Sequence, residues 1–407
     1  MLSMISKEIK NKLKEFSFIY GLNGFLKSMI LKFRMKIIKK YYIKKIKKNK
    51  IFFDKQISIE TFKKSHMKLS PLFTSQKKGA LNIFWVGAHK GQDESGFLQA
   101  LNEFGYVTNF VNKDGTYGPL YEISGLNWKN IRELNDRELF KQVSQLHKKS
   151  PINLLIGQMW AHIFSKDVLI MIRELGIPII NISMDDKLPE LWGYKDGYRL
   201  GAVGLGKGID ITLTTTPEAC DWYTLENMAS LFWPLASDDK LFAPNSNTLK
   251  DIDVLFIGNR YGIRGKIINY LSKNDVKVTC YGSGWPNGSV DAVKNVDLSK
   301  RAKIILGVGT IGYCSDVYTL KLRDFDALMT GALYITHRNP DLLKLFSEGS
   351  HLECYESLNE LLKKINYYLK KPNKRQQIGQ QGKKFAKKKH TWKTRLNETF
   401  YDLGLIS

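Results

Sequence analysis

The stretch RDFDALMTGALYIT, residues 323–336, followed by HRNPDLLKLFSEG, residues 337–349, decides the fold of this chain. It predicts a short helix that carries Asp326, a break at Gly331, a buried strand, and a loop that opens another helix. A glycine-bearing strand, KIILGVGTIGY at residues 303–313, precedes it. In open α/β sheets the crevice between strand ends and helix starts is where nucleotides bind. The stretch therefore predicts a parallel sheet with a nucleotide-binding edge.

The same alternation of strands and helices runs through most of the chain. In the first half the predicted strands are NIFWVG (82–87), YVTNFV (106–111), INLLIG (152–157), IPIINIS (177–183) and IDITLTT (209–215). In the second half they are DVLFIG (253–258), VKVTCYG (276–282), KIILGVG (303–309), ALYIT (332–336) and HLECY (351–355). Helical patterns lie between these strands, which indicates parallel sheets with crossover helices. The fold class is therefore α/β, with two Rossmann-like parallel-sheet domains facing a cleft.

Four segments follow from this pattern. Residues 1–70 form a basic amphipathic helical extension, residues 71–240 the first Rossmann-like domain, and residues 241–390 the second. Residues 391–407 form a C-terminal helix that packs back towards the first domain. The linker is FWPLASDDKLFAPNSNTLK, residues 232–250, because proline and asparagine interrupt its periodicity.

The net charge of +24 is concentrated in two segments of the 407-residue chain. Residues 1–55 hold sixteen Lys/Arg against three Asp/Glu, and residues 361–396 hold thirteen Lys/Arg and no acid. The rest of the chain is nearly neutral. A nucleic-acid reader usually carries its basic surface on the folded module that touches the backbone, so this distribution argues against nucleic acid as the partner.

The first basic segment is also amphipathic. Its apolar positions at helical spacing are Leu26, Met29, Ile30, Phe33, Ile37 and Tyr41. The lysines between them are Lys27, Lys32, Lys36, Lys39 and Lys40. This pattern favours contact with an anionic membrane surface, to which each cation adds on the order of 1 kcal/mol. The alternative is that the apolar stripe docks on the protein's own body while the lysines remain solvated.

Cysteine usage and hydropathy indicate the compartment. The four cysteines, at positions 220, 280, 314 and 354, form no CxxC pair, which argues against a zinc site or a disulfide framework. Neither a signal peptide nor a long apolar run is visible. We expect a cytoplasmic protein that is peripheral on the inner face of the plasma membrane.

From Asp253 to Phe400 the chain resembles the group 1 glycosyltransferases, especially the branch similar to spore-maturation-protein glycosyltransferases. The strongest part is KLRDFDALMTGALYITHRNPDLLKLFSEGSHLECYESLNELLKKINYYL, followed by a basic run and HTWKTR. The resemblance implies a GT-B architecture with an acceptor domain at residues 71–240 and a nucleotide-sugar donor domain at residues 241–390. It implies transfer of a sugar to a surface-glycan, glycolipid or protein acceptor in a bacterial cell, with no metal or other cofactor.

The resemblance also assigns the donor-binding residues. Asp326 stands where the family's helix carries the acid that accepts hydrogen bonds from the ribose diol. The diphosphate needs cations or free backbone N–H groups, and the candidates are Arg260, Arg264, Lys266, Gly309, Lys321 and Arg323. Arg260 or Arg264 is the closest match to the family's phosphate-facing pair.

One position departs from the family pattern. The family often has a second acid eight residues before the first, and that position here is Tyr318. Asp316 or Asp324 is a candidate substitute. The departure motivates a second hypothesis, a catalytically silent GT-B-like module that binds a nucleotide or a glycan. A third hypothesis is a nucleic-acid-binding protein that uses its basic termini.

Candidate residues in the first half lie after predicted strands. The loop GAHKGQDESG contains Gly87 and Gly91, which allow a phosphate or an acceptor to approach the backbone closely. It also carries the candidate bases, which are His89, Asp93 and Glu94. Asp93 and Glu94 equally suit an ordinary helix start. Asp185 and Asp186 follow the strand at 177–183 and resemble an acidic pair in the family's N-terminal half.

Overall fold

The computed structural model describes residues 17–69, 75–243, 248–314 and 316–407, with side chains described from Gly24 onwards and, in the second helix, as far as Ser65. The predicted end of the basic extension at Ser70-Pro71 lies outside the described residues. None of the helices in these ranges combines the length and the hydropathy that spanning a bilayer requires.

Two parallel sheets organise the chain. The strands of the first sheet are β1 Leu81–Val86, β2 Gly105–Asn109, β3 Leu154–Gly157, β4 Ile179–Ser183, β7 Ile211–Thr214 and β8 Ser230–Phe232, in the order β2-β1-β3-β4-β7-β8. A small antiparallel ribbon pairs β5 Tyr194–Lys195 with β6 Tyr198–Arg199. The strands of the second sheet are β9 Ile252–Ile257, β10 Val278–Tyr281, β11 Ala302–Leu306, β12 Leu333–His337 and β13 Glu353–Tyr355, in the order β10-β9-β11-β12-β13.

Helices connect the strands and cover both sheets. Before and within the first lobe they are α1 Ser17–Asn49, α2 Lys55–Leu69, α3 Lys90–Asp93, α4 Phe97–Asn102, α5 Trp128–Lys149, α6 Lys166–Glu174 and α7 Ala219–Leu225. In the second lobe and at the C-terminus they are α8 Arg264–Ser272, α9 Ala292–Arg301, α10 Leu322–Met329, α11 Pro340–Leu343, α12 Leu358–Lys370, α13 Pro372–Lys389 and α14 Trp392–Asp402. Two 3-10 helices, Pro189–Trp192 and Ala202–Gly208, precede β7.

The prediction of two Rossmann-like parallel sheets is confirmed. Every predicted strand is present within a few residues of its predicted bounds. The opening stretch folds as predicted: α10 carries Asp326, Gly331 adopts a positive φ of 69°, and β12 is fully buried. Continuous apolar runs identified these strands, because a strand covered by helices on both faces buries every side chain.

Three short strands were not predicted: β5 and β6 of the ribbon, and β8. Ser230–Phe232 forms β8 at the edge of the first sheet, so Phe232 belongs to a strand and not to the linker. Three residues are too few to show a period. The segment that follows is also packed, since Trp233, Leu235 and Phe242 are at most 3% exposed.

The C-terminal helix α14 packs against this segment and the first lobe. Trp392 meets Phe97 of α4 edge-on at a centroid distance of 5.1 Å and lies 5.6 Å from Trp233. The Trp233 indole donates a 2.9 Å hydrogen bond to the Thr399 hydroxyl. One continuous hydrophobic core therefore includes residues of both lobes and of α14.

Helix α1 docks on the first lobe through one face. Met35 and Tyr42 are 3% and 2% exposed. The Tyr42 ring stacks on Trp222 at 5.3 Å, and its hydroxyl donates to Glu226 at 2.5 Å. The helix therefore packs on the protein body, but the alternative in which the predicted apolar stripe makes this contact is wrong, because the residues of that stripe, such as Phe33 at 65%, are exposed.

Candidate functional site

The carboxyl ends of β4, β9 and β11 border a cleft of about 450 Å³ between the lobes. The first lobe contributes Asp185, Leu188 and Glu190; the second contributes Tyr261, Lys321 and residues 311–314; and α1 contributes Lys27, Ile30 and Leu31. A much smaller space of about 10 Å³ lies deeper, between Asp93 and Gln158 of the first lobe and Leu322 and Trp392. That space is about the size of one water molecule. The larger cleft is therefore the candidate ligand site.

Two arginines converge at the end of β9. A Cβ atom built on Gly258 would lie 2.4 Å from Arg323 Nη2 and 3.3 Å from Arg264 Nη1, so both guanidinium groups lie close to this backbone position. Arg264 is 7% exposed, donates to the Asn259 carbonyl at 2.9 Å and covers the Tyr261 ring at 4.2 Å. Arg323 donates to the Ile257 carbonyl. Glycine is required at position 258 because φ is 151° and the space for a side chain is taken.

Neither guanidinium forms an ion pair with any residue that the structure describes. Arg323 Nη1 is buried and has no hydrogen-bond partner there. Burial and the neighbouring Arg323 charge lower the pKa of Arg264 to about 10. Two neighbouring guanidinium groups, one buried and one half-buried and neither in an ion pair, favour an anion that accepts from both, and guanidinium forks match phosphate oxygens.

The other residues predicted to bind the diphosphate lie around this pair. Arg260 is exposed and lies 5.3 Å over the Trp285 ring, on the turn that leads into α8. Lys266 is exposed on α8. Lys321 precedes α10 and lines the cleft, whereas Gly309 lies in the loop after β11, where a built Cβ would come no closer than 3.9 Å to the side chains of Thr336 and Asn339. The structure thus brings Arg264 and Arg323 together and leaves Arg260 and Lys266 at the surface.

The Asp326 side chain is more deeply buried than a carboxylate that faces solvent to bind a ribose. It is 7% exposed, and its Oδ1 has no hydrogen-bond partner among the described residues. Burial raises its pKa well above the ordinary value, and the charges of Asp238 and Asp324 add to this rise. Its predicted contact with a ribose diol stays a prediction.

At the Tyr318 position the second lobe presents rings and no acid. The Tyr318 ring lies 6.2 Å from His337, and burial lowers the pKa of His337 to about 4, which keeps its imidazole neutral. Asp316 is exposed and pairs with Lys32 of α1 at 2.8 Å. Asp324 is buried, where it accepts from the Lys321 backbone N–H and from the Tyr334 hydroxyl. Asp316 and Asp324 are therefore engaged in contacts of their own.

In the first lobe the loop after β1 encloses Asp93. Asp93 is 1% exposed, and its Oδ2 accepts from the Tyr117 hydroxyl at 2.7 Å. Burial raises its pKa to about 6. The close approach at Gly87 is made by the protein itself, because a Cβ there would lie 2.1 Å from the Tyr117 hydroxyl. His89, Gly91 and Glu94 of this loop are exposed.

The adjacent aspartates after β4 differ in their surroundings. Asp185 lines the cleft. Asp186 is 1% exposed and accepts from the hydroxyls of Ser183, Thr214 and Tyr223 at 2.5–2.8 Å. Asp186 therefore holds the end of the sheet together. In the described ranges, no three His, Cys, Asp or Glu side chains are grouped so as to hold a metal ion.

Sequence reasoning did not identify Lys187. Its Nζ lies 2.6 Å from Asp341 Oδ2 of the second lobe, and both side chains are 9% exposed. The signal was a lysine directly after the acidic pair, but the partner is 154 residues away. This pair fixes the spacing of the lobes beside the cleft.

Comparison with known proteins confirms the resemblance. Residues 264–400 match the family described as glycosyl transferase-like. The spore-maturation branch stays a prediction. No curated protein matches the chain.

Solved structures share the whole two-lobed architecture. Sucrose-phosphate synthase from Thermosynechococcus elongatus has a TM-score of 0.56 at 12% identity, covering 79% of this chain and 99% of that one. Anabaena HepE in complex with UDP and glucose has a TM-score of 0.54 at 11% identity, with coverages of 79% and 99%. A glycosyltransferase from Rickettsia africae has a TM-score of 0.55 at 10% identity, with coverages of 80% and 98%. These likenesses establish the GT-B fold.

Proposed function

We propose that this chain, whose residues 264–400 match the glycosyl transferase-like family, transfers a sugar from a nucleoside diphosphate sugar to an acceptor in the interlobe cleft. The observation that carries the proposal is the Arg264–Arg323 pair at Gly258, one buried and one half-buried cation, neither of which forms an ion pair with a described residue. The pair lies at the carboxyl end of a central strand, which is the ligand-binding edge of open α/β sheets.

The chemistry follows from charge development. When the bond between the sugar and the diphosphate breaks, negative charge grows on the departing phosphate. Fixed guanidinium groups stabilise that charge more in the transition state than in the bound substrate, and this difference accelerates transfer. The acceptor hydroxyl must lose a proton, and His89, Asp93 and Glu94 remain the predicted bases, of which Asp93 has a pKa of about 6.

Binding of the nucleoside diphosphate that the donor releases tests whether Arg264 and Arg323 form the diphosphate site. UDP and GDP should each be assayed for stabilisation of the wild-type chain against thermal unfolding, since a ligand of the native state raises the melting temperature by mass action. We expect at least one of them to stabilise the protein, and Arg264→Ala or Arg323→Ala to abolish that effect. Lys273→Ala, which removes an exposed cation after α8, is the matched control. Unchanged stabilisation in both arginine variants would remove the assignment.

The tyrosine at position 318, where the family often has an acid, favours a second candidate, a module that binds the donor without transferring its sugar. Release of free UDP or GDP from the corresponding UDP- and GDP-sugars distinguishes the enzyme from the binding module. An active enzyme hydrolyses its donor slowly in the absence of acceptor, whereas a binding module is stabilised by the nucleotide and releases none.

For the cellular setting, we propose a peripheral enzyme on the cytoplasmic face of a bacterial plasma membrane that builds a surface polysaccharide. The basic and apolar composition of α1 supports this placement. Co-sedimentation with anionic liposomes tests it. A steep salt-dependent retention of nucleic acid on a filter, with no binding to liposomes, would favour the nucleic-acid hypothesis instead.

A further inference from the structure

Helix α1 lies across the cleft and contacts both lobes. On the second lobe, Gly24 packs against the Tyr313 ring, where a Cβ would lie 2.6 Å from the ring, and Ser28 Oγ lies 3.5 Å from Cys314 Sγ. On the first lobe, Lys39 pairs with Glu218 at 3.0 Å. One helix therefore bridges the two lobes on one side of the cleft.

The opposite face of α1 is apolar and exposed. Residues two positions apart on an α-helix point in directions about 200° apart, so Ile30 and Phe33 face away from Ser28 and Leu31. The exposed stripe and the exposed fractions of its residues are Leu26 49%, Met29 53%, Ile30 57%, Phe33 65%, Ile37 52% and Tyr41 48%. These are the positions whose spacing predicted an amphipathic face. The inner contacts use another row of residues, so docking on the body leaves this stripe uncovered by the described chain.

Cations accompany the exposed stripe. Lys36 is exposed at its edge, Lys40 is exposed within it beside Phe33, and Lys44, Lys47 and Lys48 extend the basic surface towards the end of α1. None of these five lysines forms an ion pair with a described residue. An apolar ridge between unpaired cations is complementary to hydrocarbon bordered by anionic headgroups. The occupant that fits this face is an anionic lipid surface.

The cleft opens beside that surface. Ile30 belongs to the exposed stripe and also lines the cleft, next to Leu31 and Lys27 of the same helix. Leu188 and Ile311 extend the apolar lining from the two lobes. With the stripe on a bilayer, an amphiphile can leave its hydrocarbon chain in the lipid and place its polar head in the cleft.

We propose that the acceptor is a membrane-embedded amphiphile, a lipid with a hydroxylated or glycosylated head, which reaches the cleft along α1. This inference rests on the proposed glycosyl transfer and names the acceptor class that the same cleft takes. A soluble protein acceptor would not need the cleft to open at the lipid surface.

Depth measurement on the full-length chain tests the geometry. Variants that each introduce one exposed cysteine, Phe33→Cys, Leu188→Cys and Tyr401→Cys, would be labelled with a fluorophore, since the four native cysteines are buried. Tyr401 is 65% exposed on α14, whose core residues pack on the other face of the first sheet from those of α1. Vesicles of phosphatidylcholine and phosphatidylglycerol with brominated chains should quench the labels at 33 and 188 and leave the label at 401 unchanged. Quenching at 33 alone would make α1 only an anchor and would overturn the inference, as would absence of quenching at both.

The acceptor chemistry is tested in the same Leu188→Cys variant before it is labelled. Octyl glucoside below its micelle-forming concentration should slow modification of Cys in Leu188→Cys, whereas glucose at the same concentration should not. Equal protection by both, or protection by neither, contradicts an amphiphilic acceptor.

Acidic substitutions in the stripe test whether the stripe binds the lipid surface. Phe33→Glu with Ile37→Glu should weaken vesicle binding by about 100-fold, since two apolar side chains no longer enter the lipid. Tyr106→Glu, at an exposed position outside α1, should bind vesicles as the wild type does. Stabilisation by UDP or GDP reports on the donor site separately, so retained nucleotide binding with failed lipid results overturns only this inference.

Discussion

Lys187 Nζ lies 2.6 Å from Asp341 Oδ2, and this ion pair joins the loop after β4 in the first lobe to α11 in the second. Both side chains are 9% exposed, so the charges are shielded from water and depend on each other. Burial alone would raise the pKa of Asp341, but the charge and hydrogen bond of Lys187 outweigh burial and lower it. The pair therefore holds the lobes at the spacing that defines the cleft.

Breaking this pair should destabilise the protein. Lys187→Met leaves Asp341 buried with only Lys344 nearby, and we expect a loss of about 3 kcal/mol in the free energy of unfolding, measured by urea denaturation at neutral pH. Lys344→Met is the control, since Lys344 is 62% exposed and contributes less than about 1 kcal/mol. Because the folded pKa of Asp341 is depressed, the contribution of the pair is present above the unfolded carboxyl pKa and is lost as the pH falls through the folded pKa. A difference between wild type and Lys187→Met that stays constant down to acid pH would contradict this account.

The shape of the guanidinium, and not its charge alone, should matter at Arg264. Arg264→Lys keeps a cation but loses the planar fork and the stacking on Tyr261, so we expect turnover of the nucleotide sugar to fall by about 100-fold. Initial rates of UDP or GDP release measure the effect. Lysine restoring wild-type turnover would show that only a point charge is needed there.

The buried carboxyl of Asp93 should make stability depend on pH. Its folded pKa is raised to about 6, so its protonated form is favoured by folding, and that contribution is present below the unfolded pKa and lost as the pH rises through 6. Asp93→Asn removes the ionisation and keeps a side chain that accepts from Tyr117. We expect the variant to be more stable than wild type at pH 7, by on the order of 2 kcal/mol, and the gain to vanish near pH 4. Thermal unfolding at both pH values measures this, and an equal effect at both would assign the change to packing.

The inner face of α1 should be part of the folded core. Tyr42→Ala removes a ring packed on Trp222 and Trp192 and leaves Glu226 and Arg199 without their hydroxyl partner. We expect a loss of about 3–5 kcal/mol in unfolding free energy. Tyr41→Ala on the exposed face is the matched control and should lie within about 0.5 kcal/mol of wild type in the absence of lipid. Equal effects of both substitutions would mean that α1 is not docked as described.

Metal removal should leave donor turnover unchanged. The proposed mechanism neutralises the departing diphosphate with Arg264 and Arg323, so no divalent ion is required for charge stabilisation. Release of UDP or GDP from the nucleotide sugar should proceed at the same rate with excess EDTA. Loss of activity that Mg²⁺ or Mn²⁺ restores would show that the arginines do not suffice.

The second lobe could be predicted closely from the sequence, because its buried strands are short apolar runs bounded by glycine and its helices have clear periods. The stretch from Arg323 to Thr336 gave the helix, the turn at Gly331 and the strand in their correct order. The residues around the site were predictable only as candidates. The motif GNRYGIRGK contains two arginines, and local sequence cannot tell that Arg264 turns inwards while Arg260 stays exposed.

The sequence by itself determined the two parallel sheets, the concentration of charge at the two ends and the apolar stripe of α1, because each is a local pattern of residue types and spacing. Tertiary structure alone decided which groups meet. Arg264 and Arg323 are 59 positions apart in the sequence and converge because α8 and α10 both begin at the edge of the sheet where β9 ends. Lys187 contacts Asp341 only when the two lobes face each other. Periodicity likewise shows that a helix has an apolar face, but whether that face is covered depends on which neighbouring element packs against it. In α1 the face that packs on the protein is opposite the predicted apolar stripe.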